Sequence, residues 1–251
     1  MNAPSISVVT ACRNSEKDLP AAAASVLAAL GPGDEWVVQD GASADGSVGY
    51  LRGLGDARLR LESRADRGTY DAMNRATERV SGDFILFLGA DDRLRIRLDE
   101  ARGFLGDSRT VYYGDVWRTL TADRYAGEFD GTKLARTNIC QQAIFYPRAA
   151  FENRKFDVRY PLQGDWVFNM DCFADPSLKF EYLPLIVADY AQAGASSSRM
   201  DEAFQKDYRR LLKKYFSLRE RWRPSLLSTL SDVYRALPGV PAPRQTPARA
   251  K

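Results

Sequence analysis

The chain has 251 residues, 45% of them hydrophobic and 27% charged, with a net charge of +3 and no histidine. This length allows one large domain or two small ones with a sizeable core, and the composition is that of an ordinary soluble globular protein. The lack of histidine excludes Ser-His-Asp and Cys-His catalysis and histidine-based metal sites, so acid–base work falls to Asp, Glu, Lys, Tyr or Cys.

Ile6 to Ala11 is a short β-branched run and the first predicted strand. A helix rich in alanine follows, with Asn14 or Ser15 as its cap and Gly31-Pro32-Gly33 as its stop. Glu35 to Gln39 is the second strand, Ser43 to Gly53 a short helix and Arg58 to Glu62 an alternating strand. Thr69 to Val80 reads as a helix with Met73, Ala76, Thr77 and Val80 on one face. Phe84 to Leu88 is an unbroken apolar run, as suits a strand covered on both faces of a parallel sheet. Strands alternating with helices at this spacing indicate βα units.

After Asp92 the rhythm changes. Arg93 to Leu105 reads as a helix, Thr110 to Trp117 and Arg124 to Phe129 as a hairpin, and Gln142 to Tyr146 as a further strand. Asp165 to Phe173 reads as a helix and Leu185 to Tyr190 as the last strand. The expected organisation is a nucleotide-binding half over 1–92 and a mixed acceptor half over 93–200. Basic amphipathic helices over 201–237 follow, then a proline-rich disordered tail over 238–251. Asp201 to Phe216 is the clearest of those helices, and Leu226 to Leu237 is another candidate.

Residues 206–251 carry 12 Lys/Arg against 3 Asp/Glu, +9, which leaves −6 on residues 1–205. A basic segment on an acidic body points to an anionic surface such as phospholipid head groups, or to a solvated helix face and a loose tail. Its aromatic residues fit helix packing better than base stacking, so nucleic acid is not the expected partner. The N-terminal residues have no basic and apolar signal-peptide pattern, and Leu19 to Gly33 falls short of the ~20 residues needed to cross a bilayer. Cys12, Cys140 and Cys172 are odd in number and contain no C-x-x-C pair, so neither a disulfide framework nor a zinc site is indicated. A reducing cytoplasm is the simplest setting.

The most informative stretch is residues 66–92, DRGTYDAMNRATERVSGDFILFLGADD. It places Asp91 and Asp92 where a buried strand ends, which is where open α/β sheets bind ligands. Two adjacent carboxylates beside an apolar strand call for a neutralising partner, and hard oxygen ligands suit Mg²⁺ or Mn²⁺. An Asp-Asp pair in a polar turn is the plainer alternative.

These motifs resemble those of the family 2 nucleotide-sugar glycosyltransferases, which have the GT-A fold. DGASADGS, residues 40–47, resembles that family's signature after the second strand. The 66–92 segment and NICQQAIFYPR, residues 138–148, resemble a branch that builds bacterial exopolysaccharide, O-antigen and colanic-acid-type glycans. The resemblance covers about residues 4–200.

It implies an α/β fold whose mostly parallel central sheet, Rossmann-like, is flanked by helices. It also implies an inverting enzyme that moves a sugar from a nucleoside diphosphate, UDP favoured, to a hydroxyl of a lipid-linked glycan. Such an enzyme would work in the cytoplasm or peripherally on the inner face of its membrane, held there by residues 206–223. Thr10, Ala11, Arg13, Asp40, Arg67 and Gly68 correspond to nucleotide contacts. Asp91 corresponds to the metal-binding acid, with Asp92 beside it and Mn²⁺ or Mg²⁺ as the ion. Asp71, Asn74, Gln142 and Ser196 correspond to positions near the donor sugar or its phosphates. Asp165 occupies the place of the carboxylate base, and Trp166 is either a stacking platform for the acceptor sugar or a core residue.

Two positions depart from the family pattern. Gly89 stands where Asp or Asn is usual, and Gln141 where His is usual. They motivate the alternative of a catalytically weakened, nucleotide-sugar-binding or scaffold subunit. A dinucleotide-binding dehydrogenase and a P-loop enzyme are disfavoured, because neither glycine-rich motif follows the first strand.

Overall fold

A computed structural model describes residues 3–192 and 201–222. The described strands form one nine-stranded sheet in the order β3-β2-β1-β4-β8-β6-β9-β5, with β7 paired on β6. The first half is parallel throughout. β1 (Ile6–Cys12) lies between β2 (Glu35–Asp40) and β4 (Phe84–Phe87), and β3 (Leu59–Ser63) extends that edge. Every residue of β2 and β4 is buried, which is what the unbroken apolar run of β4 requires of a strand covered on both faces.

The helices that cover this half follow from their sequences. α1 (Leu19–Ala29) carries Pro20 in its first turn and buries Leu19, Ala22, Ala23, Val26 and Ala29, one stripe at helical spacing. α2 (Ser47–Gly53) starts later than expected, because residues 43–46 are spent on the turn after β2. α3 (Thr69–Thr77) starts after Gly68, whose φ of 119° lies in the region that favours glycine. It ends three residues before Val80.

In the second half the sheet turns mixed. β8 (Ile144–Pro147) runs antiparallel to β4 and to β6 (Thr110–Arg118), and β9 (Lys179–Tyr190) runs parallel to β6. Two apolar clusters fill the two faces of this sheet.

Several expectations are corrected here. Arg93 to Leu105 is not one helix: β5 (Arg93–Leu94) pairs antiparallel with β9, and only α4 (Leu98–Arg102) is helical. The sequence carries the reason, since Arg93, Arg95 and Arg97 are exposed while Leu94, Ile96 and Leu98 are buried, a period of two. β7 (Asp123–Tyr125) ends four residues before Phe129. Gln141–Ala143 is a 3-10 turn, so the strand begins only at Ile144. β9 starts six residues before Leu185. The expected helix over 226–237, the loop with Ser196 and the tail from 238 lie outside the described residues.

α5 (Gly131–Leu134), α6 (Gly164–Phe173), α7 (Glu202–Tyr215) and α8 (Leu218–Trp222) complete the fold. α7 buries Phe204 and Leu211, and Phe204 packs on Trp166 with ring centroids 5.1 Å apart. Asp201 caps α7 by accepting from the Phe204 amide at 2.7 Å. Its other oxygen accepts from the Leu162 amide at 3.2 Å, which ties α7 to the entrance of α6. Among the described residues, no helix is long and apolar enough to cross a membrane.

Candidate active site

The candidate residues gather at one edge, the carboxyl ends of the parallel strands, the edge at which open α/β sheets place their ligand crevice. β1 delivers Thr10 to Arg13 there, β2 delivers Asp40 and β4 delivers Asp91 and Asp92. The start of α6 adds Asp165.

Asp40 is fully buried. It accepts from the Ser43 amide at 2.9 Å, from the Ser63 hydroxyl at 2.6 Å and from the Ser43 hydroxyl. Burial pushes its pKa up, but these donors outweigh that and hold it below the ordinary carboxylate value. Its oxygens therefore lock the turn after β2. Thr10 is equally buried, and its hydroxyl accepts from the Trp36 indole at 3.0 Å. Ala11 is half-buried and Arg13 exposed. The carboxylate of half-buried Asp66 reaches over the same turn, 2.6 Å from where a Cβ on Gly41 would stand.

On α3, Asp71 is buried and pairs with Arg67 at 2.9 Å and Arg75 at 2.8 Å. Arg67 and Gly68 remain exposed at the mouth. Asn74 exchanges both of its amide bonds with the backbone of Phe156, at 2.9 and 2.8 Å, and so binds α3 to the loop before α6.

The two carboxylates after β4 have different surroundings. Asp91 is exposed and Asp92 is 2% exposed. Asp92 accepts from the Gln142 side chain at 2.7 Å and from the Ala191 amide at 2.9 Å. The 3-10 turn at Gln141–Ala143 aims Gln142 at it. Burial, and then the charge of Asp91, push Asp92 up to about 6 against the pull of those two donors. Both carboxylates lean over Gly89: a Cβ there would stand 2.6 Å from Asp92 Oδ2 and 2.7 Å from Asp91 Oδ1. Two hard oxygens converging at a strand end fit Mg²⁺ or Mn²⁺, which commonly take one or two carboxylates and complete their shell with phosphate and water. Among the described residues no third His, Cys, Asp or Glu joins them.

Asp165 is the first acidic residue of α6 and is half-buried. Its Oδ1 accepts from the Tyr70 hydroxyl at 2.8 Å and its Oδ2 from the Asn138 amide at 2.8 Å. Burial pushes it up to about 6, moderated by the hydrogen bonds from Tyr70, the Trp166 amide and Asn138. A carboxylate with a pKa there is ionised at neutral pH yet basic enough to take a proton, the property a general base needs. The indole of Trp166 lies in the core, its N–H donating to the Leu134 carbonyl at 2.8 Å. Between the two acidic centres stands Cys140, whose thiol is raised by burial and by the charges of Asp92 and Asp165.

Tyr70, Asn138, Asn169, Tyr146 and Asp66 form no part of the sequence-derived set. Four of them lie in the segments that carry the family resemblance, Asp66 and Tyr70 in DRGTYDAMN and Asn138 and Tyr146 in NICQQAIFYPR.

A parallel half joined to a mixed half in one sheet, with an acidic pair at one strand end, is the GT-A architecture of glycosyltransferases. The glycosyl transferase family 2 model matches residues 7–124. The "PGL/p-HBAD biosynthesis glycosyltransferase" of Mycobacterium bovis (strain BCG / Pasteur 1173P2) is 36% identical over 217 residues, covering 82% of this chain and 84% of the relative. The chain belongs to glycosyl transferase family 2 and is a glycosyltransferase. Among solved structures it is similar to residues 1–349 of S. aureus TarS in complex with UDP. There the TM-score is 0.66 at 18% identity, covering 84% of this chain and 65% of that one. It is also similar to the mannosyltransferase PcManGT from Pyrobaculum calidifontis in complex with GDP-Man and Mn²⁺. That match has a TM-score of 0.63 at 15% identity and covers 83% and 69%.

Proposed function

We propose that this glycosyltransferase inverts the anomeric centre, taking a sugar from a nucleoside diphosphate, UDP favoured, to a hydroxyl of a lipid-linked acceptor glycan. The observation that carries the proposal is Asp165, a carboxylate held on both oxygens at the crevice and poised near pH 6. In the step envisaged, the acceptor oxygen attacks the anomeric carbon from the face opposite the diphosphate, and its proton passes to Asp165. The bond from that carbon to the phosphate oxygen breaks, and its electron pair leaves on the nucleoside diphosphate. Attack from the opposite face inverts the configuration. A base of this kind contributes ~10²–10⁴-fold.

Asp91, with Asp92 behind it, would hold Mg²⁺ or Mn²⁺. The ion would offset the negative charge that develops on the leaving group. Exposed Arg67, Gly68 and Arg13 border the crevice and suit the nucleotide. The UDP and GDP-Man complexes of the structural neighbours support a nucleotide-sugar donor, and the Mn²⁺ of one supports the metal. The biosynthetic role in the M. bovis relative's name supports an acceptor that is itself under construction. A role in surface polysaccharide remains part of this proposal, as does peripheral attachment of the enzyme to the inner face of the cytoplasmic membrane. The exposed basic residues Arg209 and Lys213 of α7, opposite its buried face, and Lys214 on the flank support attachment.

Gly89 favours one second reading, a binding or scaffold subunit, because it leaves the acidic pair without a third carboxylate among the described residues. Thermal-shift titration with UDP, GDP and dTDP, each with and without Mn²⁺, decides between them. A diphosphate that stabilises the protein only with metal, and not the Asp91→Ala variant, is the expected result. No shift with any of them selects a scaffold subunit, and a shift without donor hydrolysis in the presence of Mn²⁺ selects a binding subunit.

A further inference from the structure

Asp165 is the end point of a one-way chain of hydrogen bonds. The Tyr146 hydroxyl donates to Asn169 Oδ1 at 2.6 Å, Asn169 Nδ2 donates to Asn138 Oδ1 at 2.8 Å, and Asn138 Nδ2 donates to Asp165 Oδ2 at 2.8 Å. Each donor leaves its neighbour's amide only one orientation. Tyr146 has no acceptor role in this chain, so its hydroxyl sets the direction of all three bonds. Tyr146 and Asn169 are both fully buried, and a buried amide or hydroxyl is costly unless paired. Three polar side chains, two of them fully buried, drawn from β8, α6 and the segment before β8, thus spend their bonding capacity on presenting one N–H to Asp165.

The other oxygen is served by a different device. The Tyr70 hydroxyl lies 2.8 Å from Asp165 Oδ1 and 3.2 Å from the carbonyl of Leu162, and it has one proton for two acceptors. With Asp165 ionised, that proton points at the carboxylate. Once Asp165 has taken a proton, the hydroxyl can turn to Leu162 and accept from the new O–H instead. Tyr70 therefore accommodates both states of the carboxyl without moving a heavy atom, while the Asn138 N–H favours the ionised state.

We propose that Tyr70 and the Tyr146–Asn169–Asn138 chain are positioning residues that fix the orientation and the protonation state of Asp165 from two sides. The catalytic significance of these residues rests on the reading of Asp165 as the base, while their effect on its titration is observable by itself. The titratable groups facing it are Tyr70 from α3, Tyr146 from β8 and Cys140 from the turn before β8. Both tyrosines and the thiol are raised above their ordinary values, first by burial, and all three are neutral where Asp165 titrates.

The test is a carboxyl titration by NMR of the full chain labelled with ¹³C at the aspartate carboxyl, with Asp165→Asn used to assign the resonance. Wild type should titrate near pH 6. In Tyr70→Phe the midpoint should rise by about one to two pH units, as expected for losing one hydrogen bond to a charged group. Tyr146→Phe removes only the far end of the chain, keeps the ring packing and should raise the midpoint by a smaller amount. Unmoved midpoints in both variants overturn the proposal, and a shift confined to Tyr70→Phe overturns the arm from Tyr146. A separate arm measures UDP release from UDP-N-acetylglucosamine with Mn²⁺ in Asp165→Asn. Undiminished release there overturns the base reading and leaves the titration result standing.

Discussion

Gly164 and the ring of Tyr70 compete for one space: a Cβ on Gly164 would stand 2.7 Å from Cδ2 of that ring. The missing side chain at the first turn of α6 is what lets the tyrosine from α3 reach the carboxylate next to it. Gly164→Ala should therefore displace Tyr70 and cost about 1–3 kcal/mol as an overpacked core does. Urea denaturation and donor turnover, measured together, should both fall. An alanine variant with wild-type stability and turnover would mean that the ring has room to spare.

Asp165→Asn should separate stability from activity. A carboxyl raised from 3.8 to about 6 on folding makes the folded state bind more protons, so its contribution is favourable below about pH 4 and is lost as pH rises to about 6. The ionised, desolvated carboxylate then costs up to about 3 kcal/mol at pH 7.5. The variant should melt higher than wild type at pH 7.5 and gain nothing at pH 4, while its turnover falls by ~10²–10⁴. A variant that is less stable at pH 7.5 would show that the Tyr70 and Asn138 bonds outweigh the desolvation.

Gly89→Asp would add a third carboxylate at the position where the family resemblance leads one to expect Asp or Asn. Its Cβ must push aside both Asp91 and Asp92, and three carboxylates repel one another. Without metal the variant should melt lower than wild type. With Mn²⁺ it should recover by more than the wild type gains, because metal binding to the folded state stabilises it by mass action. Equal Mn²⁺ shifts in the two proteins would argue that position 89 does not face the ion.

Asn74→Ala removes two hydrogen bonds to Phe156, whose ring packs 5.2 Å from Phe87 and 5.3 Å from Tyr70. We expect a loss of about 1–3 kcal/mol from the backbone groups left unpaired. The Michaelis constant for the donor should stay within a factor of about two, because the amide is already spent on the loop. A large rise in that constant at unchanged stability would place Asn74 on the sugar instead.

The basic side of α7 predicts salt-sensitive binding to anionic vesicles. Sedimentation with phosphatidylglycerol vesicles should exceed that with phosphatidylcholine and weaken as salt rises. At ~1 kcal/mol per basic residue, reversing Arg209, Lys213 and Lys214 to Glu should weaken it by roughly a hundredfold or more. Equal binding to both lipids would reduce this face to solvated charge.

The parallel half was legible because its signals are local. Phe84 to Phe87 suits a doubly covered strand, and the alanine stripe of α1 suits a helix laid on a sheet. The Arg93 to Leu98 alternation is equally local but too short to specify a strand, since a two-residue strand exists only by pairing with Asp189 and Ala188 on β9. Gln142, expected to open a strand, lies in a 3-10 turn for a similar reason: such a turn is fixed by what it must reach, here Asp92 at 2.7 Å.

By itself the sequence determined the order of βα units, the acidic pair after the fourth strand and the segments that mark the family, because periodicity and turn chemistry act over a few residues. Only the tertiary structure decided what each carboxylate does. Asp40 was turned inward to three donors, Asp91 was left outside, Asp92 was buried on Gln142, and Asp165 was joined to a tyrosine 95 residues away. Those outcomes depend on burial and on which donors the fold brings within 3 Å, and no local pattern encodes either.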